Sequence, residues 1–379
     1  MQRPTSVWLT ICTVLMSTLG ARGATRFVRP DALGAGDGTS LESAWTIHEA
    51  SEQARAGDLI GLAKGEYVLD RTIVLRKDQD WAAASGGVVL RPAKAGIRLM
   101  EIPANAGGVR LEGIVFSQAR LDGAGGAALR IAGKDATIRR CEFVGNHASG
   151  GAKEGHGGGA VWVEGGEARF VDCGFTGNDL AARASRQGGA GVQVLKGSAQ
   201  FDQCRFRGNS VYAPRRESPY HYAGGGAVYV LQGKTNFVEC RFESNRAEVS
   251  SGNHGGGALY LYAARATLAQ CELLDNEARQ GHGGGVFQAD GEVRLDNCRV
   301  ESNVSTLDGG AIYQRTRSSL SLVNCKITAN RSPAHAISIN ASWGGTNTHI
   351  ANSLFRNNLP RDILRSDITN GDSRHKANV

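Results

Sequence analysis

Proline is scarce in this chain of 379 residues, at eight, and aromatic residues make up only 6%. With 52 glycines beside so few prolines, the composition is neither collagen-like nor that of a disordered chain, and it suits many short strands and turns. No phosphate-cradling glycine loop, nucleotide fingerprint or zinc-ligand spacing occurs, so cofactor and metal are both expected to be absent. The formal net charge of +7 is thinly spread. It lacks the dense basic block of a nucleic-acid-binding protein, which excludes nucleic acid as a partner and leaves an acidic glycan open. After the first residues no apolar run approaches the roughly 20 needed to span a bilayer.

Those first residues form a pattern of their own. Arg3 precedes an apolar run from Val7 to Leu19 and the small residues Gly20, Ala21, Gly23 and Ala24, the order of a secretory signal peptide. Cleavage is expected between Ala21 and Ala24, with a mature chain that is secreted or periplasmic, the cell surface being a further location open to it. Cys12 follows the bulky Ile11, which argues against a lipoprotein site. Seven cysteines remain, an odd number that a complete disulfide framework does not explain.

Their spacing does. Cys141, Cys173, Cys204, Cys240, Cys271, Cys298 and Cys325 are each followed five residues later by Asn146, Asn178, Asn209, Asn245, Asn276, Asn303 and Asn330, and Ser353 with Asn358 keeps the frame. Two residues after each anchor stands an apolar side chain, as at Phe143, Phe175, Phe206 and Phe242, and three before it another, as at Phe170, Phe201 and Phe237. Cysteine and the residue two later share a strand face, whereas the residue three before has the other parity, so a bend separates them. Glycine-rich stretches then lead into apolar-x-apolar strands such as Val161-Trp162-Val163 and Leu259-Tyr260-Leu261. Units of 27 to 36 residues holding three short strands cannot bury an apolar face alone. Stacked in register they form an all-β, single right-handed parallel β-helix of three parallel sheets. Equivalent residues then lie about 4.8 Å apart, with cysteines inside and asparagines at a bend where left-handed backbone is tolerated.

Repeats such as Gly-Gly-Gly-Ala-Val-Tyr-Val (224–230) and Phe-Val-Glu-Cys-Arg-Phe-Glu-Ser-Asn (237–245) resemble the GGA[I/V] and FxxN repeats of the chlamydial polymorphic outer membrane proteins, within the pectate-lyase-like β-helix superfamily. The resemblance covers about residues 125–358. It implies the fold, but the superfamily includes adhesins, scaffolds, lyases and hydrolases. Unlike the chlamydial proteins, the sequence shows no C-terminal β-barrel pattern. The chain is read as signal peptide 1–23, N-terminal cap and irregular coils 24–124, regular repeats 125–364 and a polar, disordered tail 365–379. Leu41 to Arg55 is expected to be a capping helix with Ser40 as N-cap, covering strand edges that would otherwise recruit other chains.

Two sets of residues are candidates for function. If the residues flanking them face inward, Trp162, Gln193, Tyr229, Tyr260, Phe287 and Tyr313 form an outward stripe that could stack a glycan along the helix axis, or that stabilises the sheet by packing alone. His156, His254 and His282 each precede a glycine run, with His221 and Asp308 near the equivalent place, and should line an edge beside the stripe. Gly-His-Gly triplets resemble those of polygalacturonases, but the paired carboxylates that inverting hydrolysis needs are missing from the repeats. The other candidate is the long irregular loop 210–223, since insertions on one edge of a solenoid often carry function. Arg215 and Arg216 could neutralise a uronate while Tyr220, His221 or Tyr222 moves a proton. Two readings therefore stay open: a non-catalytic, monomeric exported β-helix that binds a polysaccharide or surface partner, and a polysaccharide lyase acting on a polyanionic glycan.

Overall fold

The computed structural model describes residues 23–213, 222–249, 255–340, 345–360, 362–366 and 376–377. The chain winds into a parallel β-solenoid with three main sheets of 22, 11 and 7 strands. A regular coil places Val161–Glu164 and Glu167–Val171 on the first sheet, Gly174–Thr176 on the second and Asp179–Ala181 on the third. Each pairs in parallel with its counterpart one coil on: Val161 with Val192, Phe170 with Phe201, Phe175 with Phe206, Leu180 with Val211. The first sheet thus has two segments per coil, which merge into the single strands Leu259–Ala269 and Val286–Asp296. Among the described residues no helix is long and apolar enough to cross a membrane.

The period-two pattern accounts for the core. All seven cysteines are buried free thiols, as their place in the strand pattern requires, and several donate to a carbonyl of the preceding coil, as Cys173 Sγ does to Ile138 O at 3.4 Å. The rings of Phe143, Phe175, Phe206 and Phe242 stack with centroids 4.7–4.9 Å apart, and those of Phe170, Phe201 and Phe237 form a second column at 4.9 Å. The bend between Phe170 and Cys173 is made by Asp172 at φ +51°.

The asparagines form an unbroken ladder. Asn178 Oδ1 accepts from both the backbone N–H and Nδ2 of Asn146 at 3.0 Å, while Asn178 Nδ2 donates to Phe143 O at 2.9 Å and to Asn209 Oδ1 at 2.9 Å. The same bonds recur through Asn330 to Asn358. The left-handed residue at this bend is not the asparagine itself but its predecessor: Gly177, Gly208, Ser244, Asp275, Ser302 and Ala329 all have positive φ. Ala329, at φ +56°, bears the Cβ penalty of that conformation. Ala329→Gly is expected to raise stability by about 0.5–1 kcal/mol, the left-handed strain relieved less the entropy glycine adds to the unfolded chain. The urea midpoint measures it.

The N-terminal segment departs from the expected helix. The helix spans only Ile47–Gln53, and its N-cap is Thr46, in a capping box with Glu49, rather than Ser40. Ser40 and Ser43 instead close a turn around Asp37, with Ser43 Oγ donating to Asp37 Oδ1 at 2.6 Å. Trp45 is extended, bridging Val28 in parallel and donating its indole N–H to Gly36 O at 3.0 Å. Ile47 and Ala50 join the core. At the other end the tail is not wholly irregular: Lys376–Ala377 pairs with His349 and Ile350.

Candidate functional site

Trp162, Gln193, Tyr229, Tyr260, Phe287 and Tyr313 lie in register on the first sheet, pointing away from the main core. Their exposure differs from the expectation. Tyr229, Tyr260 and Phe287 are 0% exposed, Trp162 4% and Tyr313 6%, so the stripe presents no open ring face to a sugar. Its part from Tyr229 through Tyr313 forms a second apolar cluster with Leu231 and Ala289, the rings stacked at 4.6–5.2 Å.

The cover is the chain's own backbone. Gln187–Gly188 pairs with Ala223–Gly224, and Gly224 bridges Gly255, which bridges His282, a narrow fourth ladder lying across the rings. Glycine is required by close approach: a Cβ on Gly188 would sit 2.5 Å from the Tyr229 ring, and one on Gly224 would sit 2.9 Å from that of Tyr260. Where the stripe has Gln193 in place of a ring, its amide ties the cover down, donating to Gly155 O at 2.7 Å and Arg186 O at 3.2 Å and accepting from Gly188 N–H at 3.2 Å. Gln187 does the same for the preceding loop, donating to Gly151 O and Lys153 O at 2.6 and 2.9 Å.

The histidines do stand beside the stripe. The His156 ring is tilted against Trp162 at 4.9 Å, and His282 stacks on Tyr313 at 4.2 Å. Burial holds the His156 imidazole below its usual pKa. Asp308 serves the turn, accepting from Gly309 N–H and Ser338 Oγ at 2.7 Å. His254, Arg215, Arg216, Tyr220 and His221 lie outside the described residues.

Tyr222, the remaining loop candidate, is half-buried where the cover meets solvent and belongs to a group that sequence reasoning missed. Its ring is 5.0 Å from that of Tyr262. The Arg186 guanidinium lies 5.6 Å from the Tyr262 ring, and that of Arg315 lies 5.9 Å from Tyr222. The order Arg186, Tyr262, Tyr222, Arg315 thus sets two neighbouring rings between two cations, an arrangement in which each ring quadrupole attracts the guanidinium beside it. Arg186 sits at a bend with backbone φ +60°, and Gln193 Nε2 donates to its carbonyl at 3.2 Å. Its guanidinium reaches Glu154 at 3.3 Å. Beside it opens a cavity of about 410 Å³ lined by Glu154, Arg186, Leu195, Lys196, Leu231 and Gln232. Leu195, Leu231, Tyr262 and Ala289 are stacked in register, so the cavity floor and the tyrosine pair lie along one column. No single segment carries this group, and only the pairing register assembles it.

Solved structures similar to the chain include an alginate lyase in complex with a trisaccharide (12% identity, 92% of this chain and 90% of that one, TM-score 0.42) and a rhamnogalacturonan lyase (12%, 87% and 87%, 0.46). A tailspike protein from Acinetobacter baumannii bacteriophage Fri1, described as a capsular polysaccharide depolymerase, is a third (12%, 88% and 62%, 0.42). No curated protein matches the sequence. The family model for the right handed beta helix region matches residues 128–364, most of the chain and all of its regular coils, and the protein belongs to that family.

Proposed function

We propose that this is an exported, monomeric β-helix protein that holds an acidic polysaccharide on the Arg186–Tyr262–Tyr222–Arg315 surface without cleaving it. The observation that carries the reading is the pairing of each guanidinium with a half-buried tyrosine ring. A uronate chain offers carboxylates to the arginines and sugar faces to the rings. Kinship with the chlamydial proteins, a place in the pectate-lyase-like superfamily and a capping role for the helix Ile47–Gln53 belong to the same reading, supported by the repeats and by Ile47 and Ala50 in the core.

Affinity electrophoresis in gels containing alginate or polygalacturonate tests it. The protein should be retarded, the retardation should weaken with salt, and Arg186→Ala with Arg315→Ala should cut affinity by about tenfold or more, as expected for losing two charge-assisted contacts. Unchanged migration of the wild-type protein in both gels would refute the proposal. One observation favours lyase chemistry instead: Tyr222 sits against Arg315, a phenol whose hydroxyl could hand a proton to the leaving sugar oxygen beside a cation that could neutralise the carboxylate. That reading requires unsaturated uronic ends to accumulate, and to stop accumulating in Tyr222→Phe.

A further inference from the structure

The residues two places after the covered stripe also point outward, and they are apolar where outward columns elsewhere are charged. On the second sheet such a column runs through Arg205, Arg241, Glu272, Arg299 and Lys326. On the first sheet the column is Leu195, Leu231, Tyr262 and Ala289. Glu164 precedes it, paired with Leu195. Arg315 ends it, because it follows Gln314 as Ala289 follows Gln288, and its backbone N–H donates to Gln288 O at 2.8 Å. The floor of the surface is therefore apolar over four coils, with a carboxylate at one end and a guanidinium at the other.

The cavity of about 410 Å³ lies at the leucine end of this column, within the range of small-ligand pockets, about 300–1,000 Å³. One wall is backbone. A Cβ on Gly155 would stand 3.4–3.6 Å from the methyls of Leu195 and Leu231, and Gln193 Nε2 fixes the Gly155 carbonyl at 2.7 Å. Leu231 is buried and Leu195 half-buried, while Lys196 and Gln232 stand exposed on the opposite rim. The acidic groups of the lining are already engaged: Glu164 pairs with Arg130 at 2.6 Å and Glu154 reaches Arg186 at 3.3 Å. Arg315, at the far end of the column, has no ion pair among the described residues.

We infer that the cavity holds an O-acetyl group, so that the ligand of this surface is an O-acetylated acidic polysaccharide whose carboxylate is taken at Arg315. The inference rests on the acidic-glycan reading of the surface and names the substrate class within it. Glu154 and Glu164 balance Arg186 and Lys196, so the leucine end exerts no net pull on a carboxylate and sets two carboxylates against one placed there. An uncharged group is favoured. The acetyl methyl packs on Leu195, and its ester carbonyl, an acceptor only, faces the donors of Lys196 and Gln232. A bare sugar hydroxyl would leave the leucine surface uncovered, and a deoxy sugar's methyl would leave the rim donors unmatched.

The full chain, run in native gels containing O-acetylated alginate or the same polymer after alkaline de-esterification, tests the inference. The acetylated polymer should bind about tenfold more tightly, the gain expected for one methyl in an apolar pocket. Leu195→Ala should remove that preference while binding of the de-esterified polymer holds, and Leu195→Met, which keeps an apolar side chain of similar volume, should retain it. Arg315→Ala, outside the cavity, should weaken both polymers and preserve their ratio. Equal binding of the two polymers by the wild-type protein would overturn the acetyl site and leave the acidic-glycan reading standing; this comparison requires no variant to fold. Binding of neither polymer would refute both. A preference that survives in Leu195→Ala, or that collapses in Arg315→Ala, would place the acetyl group elsewhere and overturn the cavity as its site.

Discussion

Asn245→Ala is expected to lower the free energy of unfolding by about 3–5 kcal/mol, among the largest effects of any single substitution in this chain. Asn245 Oδ1 is the common acceptor for the backbone N–H and the Nδ2 of Asn209, at 3.1 and 2.9 Å. Its own Nδ2 donates to Phe206 O and to Asn276 Oδ1. Alanine therefore strands two donors and one carbonyl in a place that is 0% exposed, where each unsatisfied group costs roughly 1–3 kcal/mol. The coil cannot relax to admit water without parting the phenylalanine column beside it. Asn245→Asp gives the sign of a pH effect. Burial and the facing oxygens of Phe206 and Asn276 raise the folded-state pKa of the new carboxyl above its unfolded value near 3.9. The folded state then holds the proton more tightly, so stability is greatest below about pH 4 and falls as pH rises toward the folded pKa. Urea denaturation across that range measures both variants.

The same ladder marks how far the sequence alone reaches. Cysteine, phenylalanine and asparagine columns follow from spacing, because in a solenoid a residue's height above its neighbour is set by the coil and its side by strand parity. The helix is half legible: Thr46 and Glu49 spell a capping box, but the serines nearer Asp37 draw the expected boundary upstream. At the candidate site parity correctly aims Tyr229 and Tyr260 away from the main core. Exposure depends on something parity does not encode, the backbone of Gly188 and Gly224 lying over those rings. Glycine runs ahead of aromatic strands signal turns, and they equally permit a close approach of chain to ring. Arg186, Tyr262 and Arg315 give no local signal at all. They lie in different coils, and nothing in their flanking residues distinguishes them from solvated side chains.

Tyr229→Ala separates the covered stripe from the open rim. As a glycan platform, Tyr229 would lose affinity when truncated and leave stability nearly intact. As a fully buried ring stacked on Tyr260 at 4.8 Å beneath Gly188, it should instead cost about 3–5 kcal/mol through lost burial and the cavity left behind. Acidic-glycan affinity of the folded protein should hold, while Tyr262→Ala on the rim should do the reverse. Tyr229→Phe tests the polar end of the same side chain. Its hydroxyl is buried without a hydrogen-bond partner, and burial pushes its pKa well above the ordinary phenol range. Removing that oxygen while keeping the ring should therefore raise stability by about 1 kcal/mol, a gain that a sugar-binding hydroxyl would not give. Urea midpoints for the three variants, taken with their migration in alginate gels, distinguish the two roles. A Tyr229→Ala protein that unfolds at the wild-type midpoint but no longer binds alginate would return the stripe to the binding surface.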